Sequence, residues 1–195
     1  MMELFFRLFD VGVPCEVVIA AALFAALIHI LYYIRNRRHT LTPWVVATLF
    51  VMLYSTVFGR MMRGVSVDAD LQLMPLWSIG AIQGGGICTL YEKIYNVLFF
   101  VPYGYLLCLR ADAVSRRQSR EATGADGMII KRLAGWQGAI VIGAVTSVAI
   151  ELLQLATKTG TCETDDVICN TMGCAIGVAI ALLQQLIARN ASLRP

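Results

Sequence analysis

The chain has 195 residues, 58% of them hydrophobic and 15% charged, with a mean hydropathy of +0.69. A soluble domain carries about 25% charged residues, so this composition excludes an ordinary soluble globule, and a formal net charge of +3 gives no footing to nucleic-acid binding. The apolar material comes in long blocks rather than short alternating strands, which predicts one all-α domain over 1–195: a polytopic membrane helix bundle.

The N-terminal piece Met1–Asp10, with Leu4, Phe5, Phe6, Leu8 and Phe9, reads as a short helix in the membrane interface. It lacks a basic n-region, and no small-residue cleavage site leads into a soluble domain, so the first apolar stretch is expected to be retained. Five stretches approach the ~20 residues needed to cross the hydrocarbon. They are Pro14–Ile34, Pro43–Gly59, Tyr91–Leu109, Leu133–Thr157 and Val167–Ala188.

Between the second and third stretches, Leu71 to Ser78 is too apolar to float in water. Pro75 blocks a continuous regular helix there, and Trp77 suits the headgroup belt. We expect a re-entrant or interfacial outer segment. Gly84-Gly85-Gly86 then supplies a joint before the third stretch. The link Ala111–Arg132 is polar and basic and reads as a cytoplasmic surface loop with a helical piece, meeting anionic lipid.

Orientation follows from the cations. Eleven of the 16 Lys and Arg fall after span one, between spans three and four, and at the C-terminus. Only Arg7, Arg60, Arg63, Lys93 and Lys158 fall on the other side. The positive-inside rule therefore predicts an outer N-terminus and a cytoplasmic C-terminus. Asp68, Asp70, Glu92, Glu163, Asp165 and Asp166 all map to the outer side.

Of six cysteines, Cys108, Cys169 and Cys174 sit within spans and count as small apolar residues. Cys15, Cys88 and Cys162 fall near the outer side, where Cys88 to Cys162 is the pairing to test and unpaired thiols are the alternative.

The polar residues inside the spans gather by helical spacing. Glu92, Asn96, Phe99 and Tyr103 share one face, with a kink expected at Pro102 and Gly104. Glu151 and Gln154 share another. Asp166, Asn170, Gly173 and Gly177 form a stripe that is polar at its outer end and small at its inner end. The two glycines suit close helix packing. Carboxylates beside hydrocarbon are costly, by about 2.5–3.5 kcal/mol for Asp at a helix centre. Glu151, Asp165 and Asp166 therefore belong either to a salt-bridged structural network, with Arg60, Arg63 or Lys158 as partners, or to an outward-facing polar pocket. We assign the pocket Arg60, Trp77, Glu92, Asn96, Glu151, Gln154, Asp165, Asp166 and Asn170.

The only histidines, His29 and His39, map away from this cluster, which removes a serine–histidine triad or a histidine-rich zinc site. No phosphate-binding loop or dinucleotide fingerprint is present. Acid–base work by carboxylates is left open, with or without a divalent cation on oxygen ligands; no cofactor and no metal site is assigned. No catalytic residue is fixed, and Glu151, Asp165 and Asp166 are the candidates.

Several strings taken together resemble the VanZ-like family of bacterial membrane proteins. They are Asn96-x-x-Phe99-x-x-Pro102-x-Gly104, Glu151-x-x-Gln154, and Cys162-Glu163-x-Asp165-Asp166-x-x-x-Asn170-Thr171-x-Gly173. Upstream, Tyr54-x-Thr56-x-Phe58-x-Arg60 and Leu73-x-Pro75-x-Trp77-Ser78 look like that family's second helix and outer loop, so the resemblance spans about Tyr54 to Leu183. One departure stands at Thr161, where many members carry an Arg after the glycine; Lys158 is the substitute the sequence offers.

The resemblance implies a bacterial cell-membrane protein with a role in resistance to lipidated glycopeptide antibiotics such as teicoplanin, or in cell-envelope physiology. The first expectation is a non-enzymatic pocket in the outer leaflet for an amphiphile or a lipid-linked cell-wall precursor. The alternative is an enzyme acting on a lipid-linked envelope substrate through Glu151 with Asp165 or Asp166. A transporter and an assembly scaffold are weaker readings. Membrane lipid is the expected partner, nucleic acid is not, and a homo-oligomer is left open.

Overall fold

A computed structural model describes residues 15–36, 41–68, 70–118 and 135–191. The expected interfacial helix Met1–Asp10 and most of the basic link lie outside the described residues. In chain order the elements are α1 (Cys15–Asn36), α2 (Thr42–Leu53), a π-helical turn (Tyr54–Phe58), α3 (Gly59–Met62), β1 (Leu71–Gln72), α4 (Trp77–Gln83), α5 (Ile87–Gln118), α6 (Trp136–Thr157), β2 (Cys162–Glu163) and α7 (Thr164–Ala191). The protein is nearly all helical.

Four helical runs among the described residues are long and apolar enough to cross a membrane: Thr42–Met62, Ile87–Ala113, Trp136–Thr157 and Thr164–Ala191. A shorter apolar stretch, Ala21–Leu31, lies within α1. Large apolar side chains such as Leu23, Phe50, Leu98, Val145, Leu152 and Leu183 stand exposed on the outside of the bundle. In water such a surface would associate; against acyl chains it is the expected exterior. This is a multi-pass membrane protein.

Helices α5 and α7 form the closest pair, and glycine is the reason. A methyl group added at Gly173 would strike the backbone of Val97, and one at Gly177 would strike Val101 and Tyr105. From the other side, Gly104 meets the backbone of Cys174. Lipid tails are as apolar as leucine, so association here comes from close packing rather than from the hydrophobic effect. Gly143 of α6 similarly leaves room for the Cys174 Sγ, which donates to the Ala139 carbonyl at 3.5 Å. Phe100, Tyr103, Leu107, Ile150 and Val178 fill the core around these crossings, with Val45 and Met52 from α2. Pro102 lies inside α5, which runs on as one helix through it.

The second expected span is a helical run interrupted by the π-helical turn, a feature with no period for sequence to report. Ser55 and Thr56 bend back within it, both hydroxyls donating to the Met52 carbonyl, at 2.9 and 2.8 Å.

The segment expected on the outer side departs further from expectation. Leu71–Gln72 and Cys162–Glu163 are paired parallel strands, Leu71 opposite Cys162 and Gln72 opposite Glu163. Two flanking bonds extend the seam: Val67 N donates to Lys158 O at 2.9 Å, and Cys162 N to Asp70 O at 3.1 Å. Beyond them Leu76 adopts a left-handed conformation, φ 62°, and opens the short helix α4. Leu73, Met74 and Leu76 are exposed there, the apolar surface that suggested an interfacial segment. Gly85, at φ 94°, makes the turn into α5.

Candidate functional site

At one end of the bundle a cavity of about 560 Å³ opens between the π-helical turn, the start of α5, the end of α6 and the start of α7. Its floor is apolar, made by Met52, Phe99, Phe100 and Ile150. Its walls carry Ser55, Thr56, Arg60, Glu92, Asn96, Glu151, Gln154, Thr159, Glu163, Asp166 and Asn170. The volume falls in the range of pockets that hold a drug-sized molecule, roughly 300–1,000 Å³.

Several of the polar wall residues are held by hydrogen bonds. Glu151 is 2% exposed, and its Oε2 accepts a bond from the Glu163 backbone N–H at 3.1 Å. One turn on, Gln154 Nε2 donates to the Thr56 carbonyl of the π-helical turn at 3.4 Å. Asn170 Nδ2 donates to Ser147 Oγ at 2.9 Å, tying α7 to α6. Arg60 reaches across from α3 and donates to the Thr159 carbonyl at 3.1 Å. A side chain at Gly160 would come within 3.0 Å of that guanidinium.

The cation that matters most is one the sequence analysis did not assign to the site. Lys93, 7% exposed, bridges Glu163 at 2.6 Å and also pairs with Asp166. Asn96, one turn further along α5, adds its side-chain bond to Asp166. The proposed partners Arg63 and Lys158 are both exposed, and neither forms an ion pair with these carboxylates. Lys158 instead ends α6 in a left-handed conformation, φ 54°. The cation that pairs with Glu163 and Asp166 therefore comes from α5. A signal was present: Lys93 is three residues before Asn96, so helical spacing already placed the two near one face.

Two expected wall residues lie elsewhere. Asp165 is 2% exposed and does not line the cavity. It turns outward from α7, where Oδ1 accepts from Leu76 N at 2.5 Å and Oδ2 from Ser78 N and Oγ at 2.9 and 2.5 Å. Successive residues on a helix point about 100° apart, so the paired aspartates divide their work. Asp166 faces the cavity and Asp165 fastens the segment that carries Leu76 and Ser78. Trp77, also outside the lining, lies beside Lys93, whose ammonium is 5.6 Å from its ring centre. Tyr103 shares a face with Asn96 and Phe99 but sits deeper, its hydroxyl 3.2 Å from Thr146 Oγ1.

Strand alternation sorts Thr161, Cys162 and Glu163. Thr161 and Glu163 line the cavity and Cys162 does not, whereas Cys88 does. A disulfide needs Cβ atoms about 3.5–4.5 Å apart. Here Cys88 lines the cavity and Cys162 does not, and both thiols are free. Burial pushes the Cys162 thiol up, and Glu151, Asp166 and Glu163 push it the same way.

A family model described as VanZ/LLP1 matches residues 44–186. This chain belongs to the VanZ/LLP1 family. The matched region begins in α2 and ends within α7, so it contains every wall of the cavity. No curated protein and no solved structure matches the chain. Within this VanZ/LLP1 protein, the resemblance motifs fall into two groups. Thr56, Arg60, Asn96, Phe99, Glu151, Gln154, Glu163, Asp166 and Asn170 line the cavity, while Gly104 and Gly173 let α5 and α7 pack and Asp165 fastens Leu76 and Ser78.

Proposed function

We propose that this is a five-span protein of the bacterial cytoplasmic membrane, N-terminus outside, whose cavity opens to the outer leaflet and binds an amphiphile or a lipid-linked cell-wall precursor. One observation carries the reading: a cavity with an apolar floor and a carboxylate- and amide-rich wall in a chain that otherwise presents hydrocarbon to its surroundings. Buried polar groups of this kind in a membrane mark a functional site by default. An amphiphile matches both parts, its polar head against Glu151, Asp166 and Asn170 and its apolar portion toward Met52, Phe99 and Ile150.

Family membership directs the physiological reading to resistance against lipidated glycopeptides of the teicoplanin kind, or to envelope physiology. Occupying or displacing the lipid tail of such a drug weakens its membrane anchoring, at about 0.8 kcal/mol per buried CH₂. The test is drug susceptibility in a sensitive bacterial host expressing the protein. Glu151→Gln and Asp166→Asn are expected to abolish protection when compared at matched membrane abundance. Unchanged susceptibility in well-expressed variants rejects the proposal.

A second reading rests on Glu151, a buried carboxylate that reaches the cavity and is placed to exchange a proton with a bound headgroup. It makes the protein an enzyme on a lipid-linked substrate. An expression-dependent change in the mass spectrum of envelope lipids, lost in Glu151→Gln, supports it; identical profiles reject it.

A further inference from the structure

Beside the polar cavity lies a second space, an apolar groove of about 460 Å³ bounded by Ala21 and Ala22 of α1, Trp44, Ala47 and Val51 of α2, and Leu98 and Pro102 of α5. Three residues, Met52, Tyr95 and Phe99, line both spaces. They are the wall that the two spaces share. The two spaces are thus neighbours, one with polar walls over an apolar floor and one almost wholly apolar.

Dimensions constrain what the groove takes. Its α2 side runs from Trp44 to Met52, about 12 Å of helix at 1.5 Å per residue. That approaches the depth of one leaflet's hydrocarbon, about 15 Å. A groove of this length, walled by small alanines on α1 and α2, suits one extended alkyl chain.

Charge constrains the head. Glu92, Glu151, Glu163 and Asp166 face the cavity, and Lys93 is already shared between Glu163 and Asp166. Glu92 at the mouth and Glu151 inside form no salt bridge among the described residues, and Arg60 is engaged by the Thr159 carbonyl. An anionic head would enter against the majority charge, whereas an ammonium supplies what the two carboxylates lack.

We propose that the ligand is a long-chain amine: its ammonium sits between Glu92 and Glu151, and its alkyl chain passes Met52, Tyr95 and Phe99 into the groove between α1, α2 and α5. This rests on the reading of the cavity as an amphiphile site and names the class of amphiphile. It also assigns a sideways route, so the ligand enters from the leaflet rather than from water.

Lipid and detergent tails solvate an alkyl chain as well as the groove does, so the chain is read by position. The experiment uses purified full-length protein in detergent with Trp77→Phe and Trp136→Phe, leaving Trp44 on the groove as the reporter. The probe is a twelve-carbon (C12) alkylamine brominated at the chain end, at a fixed ratio to detergent. Saturable quenching of Trp44 that the unbrominated C12 amine competes away is expected, with competition weakened at least about tenfold by Glu151→Gln. The matching C12 alkyl phosphate should compete poorly. Ala47→Phe and Ala22→Phe, filling the groove from either side, should abolish the quenching while native mass spectrometry still detects Glu151-dependent amine binding.

Glu151-dependent binding without competable Trp44 quenching would overturn the chain route and spare the cavity reading. Phosphate competing better than amine would overturn the head assignment. No Glu151-dependent binding of either probe would overturn the cavity reading itself.

Discussion

At the scale of single residues, the site depends on one buried cation and one buried anion with different tasks. Lys93 neutralises Glu163 and Asp166, and all three side chains are mostly withdrawn from solvent. Removing one partner of a buried pair leaves uncompensated charge, at about 3–5 kcal/mol. Lys93→Met is therefore expected to lower thermal stability in detergent by that order, with part of the loss recovered when Asp166→Asn is added. Asp165 serves Leu76 N, Ser78 N and Ser78 Oγ. Asp165→Ala orphans these donors at about 1–3 kcal/mol each. Limited proteolysis should then cut the segment 71–83 faster than in the parent protein. Helical spacing put Asp166 alone on the stripe with Asn170, yet both aspartates were assigned to the pocket; the bonds of Asp165 to Leu76 and Ser78 separate them.

At the scale of elements, the bundle is held by backbone contact at glycines. Gly177→Ala drives a methyl group into Val101 of the facing helix, and overpacking of this kind costs about 1–3 kcal/mol. Gly80 in α4 has nothing within 4 Å of an added methyl, so Gly80→Ala is expected to be neutral or slightly stabilising. Melting temperatures of the two variants, measured side by side, check the contrast. The spacing of Gly173 and Gly177 made this packing readable in advance, because a small-residue stripe has few other uses in a lipid-exposed helix. The π-helical turn and the two-residue strands were not readable. Both are too short to leave a period, and the strands join segments about 90 residues apart, Leu71 with Cys162.

Across the whole molecule, topology and thiol chemistry can be read together. In variants that keep a single cysteine, a membrane-impermeant maleimide added to intact cells is expected to label Cys88, which is exposed at the cavity mouth. Labelling only after permeabilisation would reverse the proposed orientation. Cys162 is half-buried among carboxylates that push its thiol up. Less thiolate forms at a given pH, so its labelling should be slower than that of Cys88 near neutrality and should accelerate only at higher pH.

Hydropathy and the spacing of polar residues along each helix were enough to specify a helical membrane protein and to nominate Glu151, Asn96, Gln154, Asp166 and Asn170. Those properties are local, repeating with the helical turn whatever the neighbours do. The family motifs were legible for the same reason. Partnership is a different kind of fact. That Lys93 pairs with Glu163 and Asp166, that Asp165 stays out of the cavity lining, and that Cys88 and Cys162 are free all depend on how distant segments meet. Tertiary structure decided these because an ion pair, a cap or a disulfide is set by separations of a few ångströms between residues that sequence places far apart.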